Sequence, residues 1–328
     1  MADLTTSYMG IPLTSPVIVG ACSISSRIDR VRLAEQAGAG ALVIRSLFEE
    51  QIQMEALRME EGLRVGAESH PEAASYFPDL RPGMADEHLH WIEKTRAAVR
   101  MPLIASLNAA AAGSWARYAR QLEATGVAGL ELNVYAVAAD PRRDAYQIEQ
   151  ELLEIVGAVR AETKLPLAVK LSPFYTSVSH VAHALDELGI DGLVLFNRFV
   201  QPDIDPASES LLTEMVLSTP DELRLPLRWT ALLYGRVRAQ IALSTGVHSG
   251  LDAAKALLAG AQVVQTASAL LQHGIPYLST MLRQLEGWME EHTYRRLKDF
   301  RGKLSQQESP NPLAYERAQY VRLLTSQK

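Results

Sequence analysis

Cysteine is almost missing from this chain: Cys22 is the only one in 328 residues. An internal disulfide is therefore impossible, and a Cys-rich metal or iron–sulfur site is excluded. Basic charge is not in excess either. The formal charge is −6, which argues against a nucleic-acid partner, because phosphate contacts need clustered Lys and Arg. The one basic cluster, Arg295, Arg296, Lys298 and Arg301, is mixed with acids and reads as a solvated helix face. The eight histidines show no metal-ligand spacing, so no metal is expected. No apolar run is long enough to span a membrane, since Gln262, Gln265 and Ser268 interrupt the best candidate. Met1-Ala-Asp-Leu-Thr-Thr lacks the basic-then-apolar pattern of a signal peptide, and a cytoplasmic protein is expected. Linker-like Pro/Gly/Ser tracts are missing between Val17 and about Ala267, which points to one domain over 1–328 with a helical tail from about 290.

What is present is alternation. Four apolar runs follow a helix-ending glycine: Gly38-Ala-Gly40-Ala-Leu-Val-Ile, Gly126-Val-Ala-Gly129-Leu-Glu-Leu, Gly189-Ile-Asp-Gly192-Leu-Val-Leu and Gly260-Ala-Gln-Val263-Val-Gln. Three others start after Pro16, Pro102 and Pro166. Strands are predicted at 17–21, 41–46, 102–107, 129–134, 166–171, 192–197, 240–245 and 263–267, continuously apolar as parallel strands buried on both faces are. Helical patterns lie between them: one after a Ser25 or Ser26 cap, then about 115–124, 145–162 and 180–188, with 277–291 after the last strand and 314–324 as a further candidate. Eight such alternations predict a (β/α)8 TIM barrel, whose chemistry sits at the C-terminal strand ends. Two connections, 47–101 and 198–239, are long enough to form a lid or substrate wall.

The predicted strand ends carry Ala21, Cys22 and Ser23; Arg45 and Ser46; Asn108; Asn133; Lys170; Asn197; Ser244, Thr245 and Gly246; and Ala267 and Ser268. Three asparagines offer donors and acceptors to a planar heteroaromatic ligand. Arg45 and Lys170 can stabilise negative charge. The last two strand ends, each followed by a helix, suit a phosphate. Taken singly, an asparagine there can equally close a turn, Lys170 can reach solvent, and Arg45 can pair with Glu49 or Glu50. Cys22 reads as a small packing residue.

Aligned by those ends, the chain resembles the dihydroorotate dehydrogenase family, nearest its soluble class 1 branch. The resemblance rests on Glu131-Leu-Asn133, Ala168-Val-Lys170-Leu-Ser-Pro173, the Asn197 strand end and Thr245-Gly-Val-His-Ser-Gly250 followed by Gly260-Ala261. Arg45-Ser-Leu-Phe-Glu-Glu-Gln-Ile52 and Leu195-Phe-Asn-Arg-Phe199 resemble a subgroup called dihydroorotate dehydrogenase-like. The resemblance implies FMN at the barrel mouth, a homodimer, a role in pyrimidine biosynthesis, and any iron–sulfur electron-transfer partner on a separate polypeptide. It places Lys170 beside the flavin N1/O2 edge and Asn108 and Asn133 on flavin or substrate. Asn197 falls on the substrate, Ala21 to Ser23 near the ring, and Ser244 to Gly246 with Ala267 and Ser268 on the phosphate.

The chain also departs from the family. The catalytic base, Cys or Ser in the family, falls at Ala136, and a pyrimidine-binding asparagine falls at Ala138. The loop asparagine that grips substrate is not evident in Ser75-Tyr-Phe-Pro-Asp-Leu. Arg45 replaces a lysine, Arg198 replaces a serine, and Leu-Ser-Thr-Gly replaces a glycine-rich phosphate turn. Losing a general base costs about 10^2- to 10^4-fold, so dihydroorotate is a poor expected substrate unless Tyr135, Tyr76 or water supplies the proton transfer. The expectation is an FMN-dependent oxidoreductase, with hydride passing between flavin and a small substrate, an anion being one option. Arg45, Arg198 and Arg228 are candidate anion ligands, and Tyr135 is a candidate proton donor. Two rivals stand beside it: a lyase or aldolase using Lys170 as Schiff-base nucleophile, and a non-catalytic flavin-binding or assembly subunit.

Overall fold

A closed barrel of eight parallel strands organises the chain. The structure, a computed structural model, describes residues 2–48, 84–109, 112–134, 137–198, 201–212 and 216–316. Around the barrel run β3 (Val17–Val19), β4 (Ala41–Phe48), β5 (Leu103–Ala109), β6 (Gly129–Val134), β7 (Leu167–Leu171), β8 (Gly192–Leu195), β11 (Gln240–Ser244) and β12 (Val263–Thr266). Two antiparallel hairpins stand outside this sequence: β1 (Thr6–Tyr8) with β2 (Ile11–Leu13), and β9 (Asp203–Asp205) with β10 (Ser210–Leu212). All eight barrel strands fall where the apolar runs predict them.

Period-two alternation sorts the strand residues into two cores. Val17, Leu42, Leu103, Leu130, Val169, Leu193, Leu243 and Val264 face the surrounding helices. Ile18, Val43, Ile104, Ala168, Val194, Ala242 and Val263 face inward. The β1–β2 hairpin plugs the N-terminal end, adding Tyr8, Met9, Ile11 and Leu13 to the inner core. Met9 and Gly10 both have positive φ at its turn, and Gln240 at the start of β11 accepts a hydrogen bond from Met9 N (2.6 Å). With that end plugged, the barrel interior opens at its C-terminal mouth.

The helices follow local chemistry. Ala145–Glu162 begins in a capping box between Asp144 and Gln147, and Val178–Glu187 begins at Ser177, whose hydroxyl accepts from His180 N. Ser25 does not cap the first helix, Ile28–Gln36, as its sequence suggests; that helix starts after Arg27 without a side-chain cap. Ser25 Oγ instead donates to Cys22 O (2.9 Å) and accepts from Arg45 N (2.9 Å), tying the first loop to β4. The long connections hold elements the sequence reading did not place: helices Met84–Ala98 and Arg224–Leu233, and the β9–β10 hairpin. The candidate helix 314–324 is seen as Leu313–Glu316, its remainder lying outside the described residues. Among the described residues, no helix is long and apolar enough to cross a membrane, and no cluster of His, Cys, Asp and Glu could hold a metal.

Candidate active site

Toward the C-terminal mouth the inward positions turn from apolar to polar. On β5, Ile104 gives way to Ser106 and Asn108; on β6, Gly129 gives way to Glu131 and Asn133; on β7, Ala168 gives way to Lys170. The register sets Asn108 opposite Asn133 and Asn133 opposite Lys170, so three polar side chains stand level on adjacent strands. Asn197, just past β8, donates from Nδ2 to Asn133 Oδ1 (2.9 Å). The whole chain has four asparagines, and three of them meet here.

Beneath this ring lies a buried ion pair. Glu131 is 1% exposed, and its Oε1 is 3.5 Å from Lys170 Nζ. Gln265, inward on β12, bridges the two: its Oε1 accepts from Lys170 Nζ (3.3 Å) and its Nε2 donates to Glu131 Oε2. Sequence reading quoted Glu131 without a role and missed Gln265. The period-two step down from Asn133 and up from Val263 is the signal that aims both inward.

A cavity of about 180 Å³ opens beside Lys170 at the ends of β11 and β12. Of the predicted residues, Ala21, Lys170, Asn197, Arg198, Ser244, Thr245, Gly246, Ala267 and Ser268 line it. Gly20, Ser218, Val247, Gln265 and Thr266 line it too and were not predicted. Ser218 arrives from the long β8–β11 connection. Its N donates to Ser268 Oγ (3.0 Å) and its Oγ lies 3.1 Å from His248 Nε2. Nothing local in the sequence announces a contact across that separation. Burial pushes the His248 imidazole below its usual range, against the opposing pull of Asp252.

The other predicted residues do not line this cavity. Cys22 is partly buried, and burial pushes its thiol up, away from the thiolate a nucleophile needs. Asn108 and Asn133 stand across the mouth on β5 and β6. A bulge in β4 between Ile44 and Leu47 separates Arg45 from Ser46. Ser46 turns in to bond Ser106 (Oγ to Oγ, 2.7 Å), while Arg45 is exposed. Ser23 begins the short 3-10 turn Ser23–Ser26, and Arg228 is exposed on the helix Arg224–Leu233. Tyr135, Ala136 and the Ser75–Pro78 loop with Tyr76 lie outside the described residues.

Arg198 is already engaged. Its Nε and Nη2 reach Glu222 (2.8 and 3.4 Å), and its Nη1 donates to Val216 O. Burial raises the Glu222 carboxyl, but hydrogen bonds from Arg198 and Thr219 N outweigh it and hold the group below its ordinary value. A second cavity of about 390 Å³ shares Asn197, Arg198 and Thr245 with the first and is walled by Phe174, Phe196, Leu225 and Pro226.

A phosphate-bearing planar cofactor fits this donor set. Ser244 and Ser218 bring buried hydroxyls to the cavity wall, and the half-buried Ser268 brings a third. Thr245 and Gly246 both take left-handed backbone (φ 79° and 75°). A Cβ on Gly246 would meet Leu223 N at 2.2 Å, so glycine is what lets the turn lie against the Glu222–Leu223 backbone.

Residues 82–289 match the dihydroorotate dehydrogenase family. Dihydroorotate dehydrogenase A (fumarate) of Lacticaseibacillus paracasei is 31% identical over 193 residues, 57% of this chain and 66% of the relative. A putative dihydroorotate dehydrogenase A (fumarate) of Aeropyrum pernix is 28% identical over 317 residues, 92% and 97% of the two chains. The catalytic subunit of dihydroorotate dehydrogenase B (NAD(+)) of Pelobacter propionicus is 31% identical over 214 residues, 63% and 70%.

Proposed function

The chain belongs to the dihydroorotate dehydrogenase family, and on that premise we propose that it is an FMN-dependent oxidoreductase acting on a small substrate other than dihydroorotate. The observation that carries the reading is the level row of Asn108, Asn133 and Lys170 at the mouth, with Lys170 also lining the hydroxyl-bearing cavity at β11 and β12. FMN, when bound, supplies a ring that takes or gives two electrons as hydride.

The chain's own residues hold and orient. Ser244, Ser268, Ser218 and the Thr245–Gly246 backbone bind the phosphate. Lys170 places a cation at the ring, where stabilising developing charge is usually the largest contribution to rate. Asn133, fixed by Asn197, turns its amide toward flavin or substrate, and Asn197 and Arg198 border the second cavity, where the substrate sits. Position 136 offers only a methyl group, so proton transfer falls to Tyr135, Tyr76 or water. The reading extends to a homodimer with a separate electron-transfer partner.

A Schiff-base lysine is disfavoured by Glu131, because a neutral amine at position 170 would leave a fully buried carboxylate without its counter-charge. The test is the visible spectrum of freshly purified protein with mass identification of the heat-released cofactor, followed by anaerobic addition of dihydroorotate. FMN near one per chain that dihydroorotate fails to bleach is the expected result. A colourless protein that also refuses added FMN sinks the proposal, and rapid bleaching sinks the claim about substrate.

A further inference from the structure

The barrel interior holds a carboxylate that the binding roles above do not use. Glu131 is buried, and the apolar layer of Ile104, Ala168 and Val263 lies below it with the Tyr8 plug. Its Oε2 accepts from Gln265. Its Oε1 has no hydrogen-bond partner among the described residues, and Lys170 Nζ at 3.5 Å is an ion-pair contact beyond good hydrogen-bond length. Tyr8 is likewise left with a buried hydroxyl without a partner, and burial first and the Glu131 charge second push that phenol well up. Among the described residues, Lys170 is the cation paired with Glu131. Gln265 reads both charges with one amide, oxygen to the cation and NH2 to the anion, which fixes the order of the three groups.

We infer that Glu131 is a positioning counter-ion: it sets how much positive charge Lys170 presents to the ring at the barrel mouth, and so how readily that ring is reduced. The inference rests on the flavin reading above. A lysine standing alone would act as a full cation. Lysine with Glu131 behind it is a net-neutral pair whose positive end, 13% exposed, points at the cavity. Such a pair attracts a developing negative charge at short range and much less beyond, since the two contributions oppose each other. Removing the acid should therefore favour the reduced ring, removing the lysine should disfavour it, and removing both should nearly cancel.

The experiment is a double-mutant cycle on FMN-loaded protein: wild type, Glu131→Gln, Lys170→Met and the double variant. Midpoint potentials of all four proteins are read by dye-equilibrated titration at one fixed pH. We expect Glu131→Gln to shift the reduction equilibrium at least about tenfold toward the reduced form, about 30 mV for a two-electron couple. Lys170→Met shifts it at least as far the other way, and the double variant lies within about threefold of wild type. A Glu131→Gln potential equal to wild type, with the double variant equal to Lys170→Met, overturns the inference while leaving the flavin reading intact. If Glu131→Gln does not fold, the comparison of the double variant with Lys170→Met decides: a tenfold gap supports the pair and equality overturns it. Wild type without FMN overturns both readings.

Discussion

Substituting Gly246 by alanine should injure the site in a way the backbone lets one calculate. Residue 246 has φ 75°, and left-handed backbone costs an L-residue about 1–2 kcal/mol. The new Cβ would also meet Leu223 N at 2.2 Å, Leu223 Cα at 2.7 Å and Glu222 C at 2.8 Å, all backbone. Relief requires moving residues 222 and 223, yet Leu223 is 3% exposed within the outer core. Overpacking of this kind costs about 1–3 kcal/mol, for a total of about 2–5 kcal/mol. Gly126→Ala is the control, because Gly126 has φ 76° and nothing within 4 Å of its added Cβ. It should lose only the dihedral cost. The difference between the two variants, about 1–3 kcal/mol, isolates the clash. For a chain of 328 residues it should appear as an unfolding midpoint lower by roughly 1.5–4.5 °C. FMN affinity, read by quenching of flavin fluorescence, should fall by about 5- to 150-fold if the clash is relieved by displacing the Ser218 loop. Should Gly246→Ala match Gly126→Ala in both assays, the close approach of turn and loop is not what shapes the cavity.

Other substitutions probe the frame and the mouth. Asp186, 4% exposed, accepts from Arg238 N (2.9 Å), Ala239 N (2.7 Å) and Arg238 Nε (3.0 Å), fastening a helix end to the start of β11. Asp186→Ala should cost about 2–4 kcal/mol by denaturant unfolding near neutral pH. Burial raises this carboxyl, but the hydrogen bonds from Ala239 and Arg238 hold it below its unfolded value of about 4. Its stabilisation is thus fully present above pH 4 and lost as pH falls through the lower folded value, so the gap between wild type and variant should close in acid. A gap independent of pH would refute the assignment. Tyr8→Phe should be neutral or slightly stabilising, since it deletes a buried hydroxyl with no partner among the described residues; a loss above about 1 kcal/mol would reveal a hidden bond. Glu222→Gln should weaken the hold on Arg198 and strengthen binding of small carboxylates such as succinate, read as a perturbation of bound-flavin absorbance; unchanged affinity would mean Arg198 does not face the substrate.

The barrel was legible in sequence because parallel strands buried on both faces are apolar without interruption, and because glycines that end helices announce the next strand. Gly38, Gly126 and Gly189 all adopt the positive φ that such endings need. The strand-end residues were legible for the same reason: once the strands are in phase, counting reaches Asn108, Asn133 and Lys170. The β1–β2 hairpin escaped notice because its strands are three residues each and its turn is Met9-Gly10 rather than Asn-Gly or Asp-Gly. Arg45 was harder to place, because one extra residue in β4 breaks the count and exchanges its position with that of Ser46. Ser218 and His248 are brought together by a loop whose path depends on Leu223 finding the outer core, a tertiary event that leaves no periodic trace.

Charge balance at the mouth ties these observations together. Lys170 is matched by Glu131 and Arg198 by Glu222, so two cations that sequence reading offered to anionic ligands are largely neutralised within the protein. An anion arriving in the first cavity meets hydroxyls and backbone N–H groups more than net positive charge. Fixed dipoles of that kind act at short range and are screened little by salt, whereas an exposed cation attracts from afar and weakens as salt rises. FMN affinity in this chain should therefore change little between low and high ionic strength, in keeping with a protein of net charge −6, whose 32 Lys and Arg are outnumbered by 38 Asp and Glu. A steep salt dependence of FMN affinity would mean that Arg45, the exposed cation on the bulge of β4, contributes a charge the rest of the mouth does not cancel.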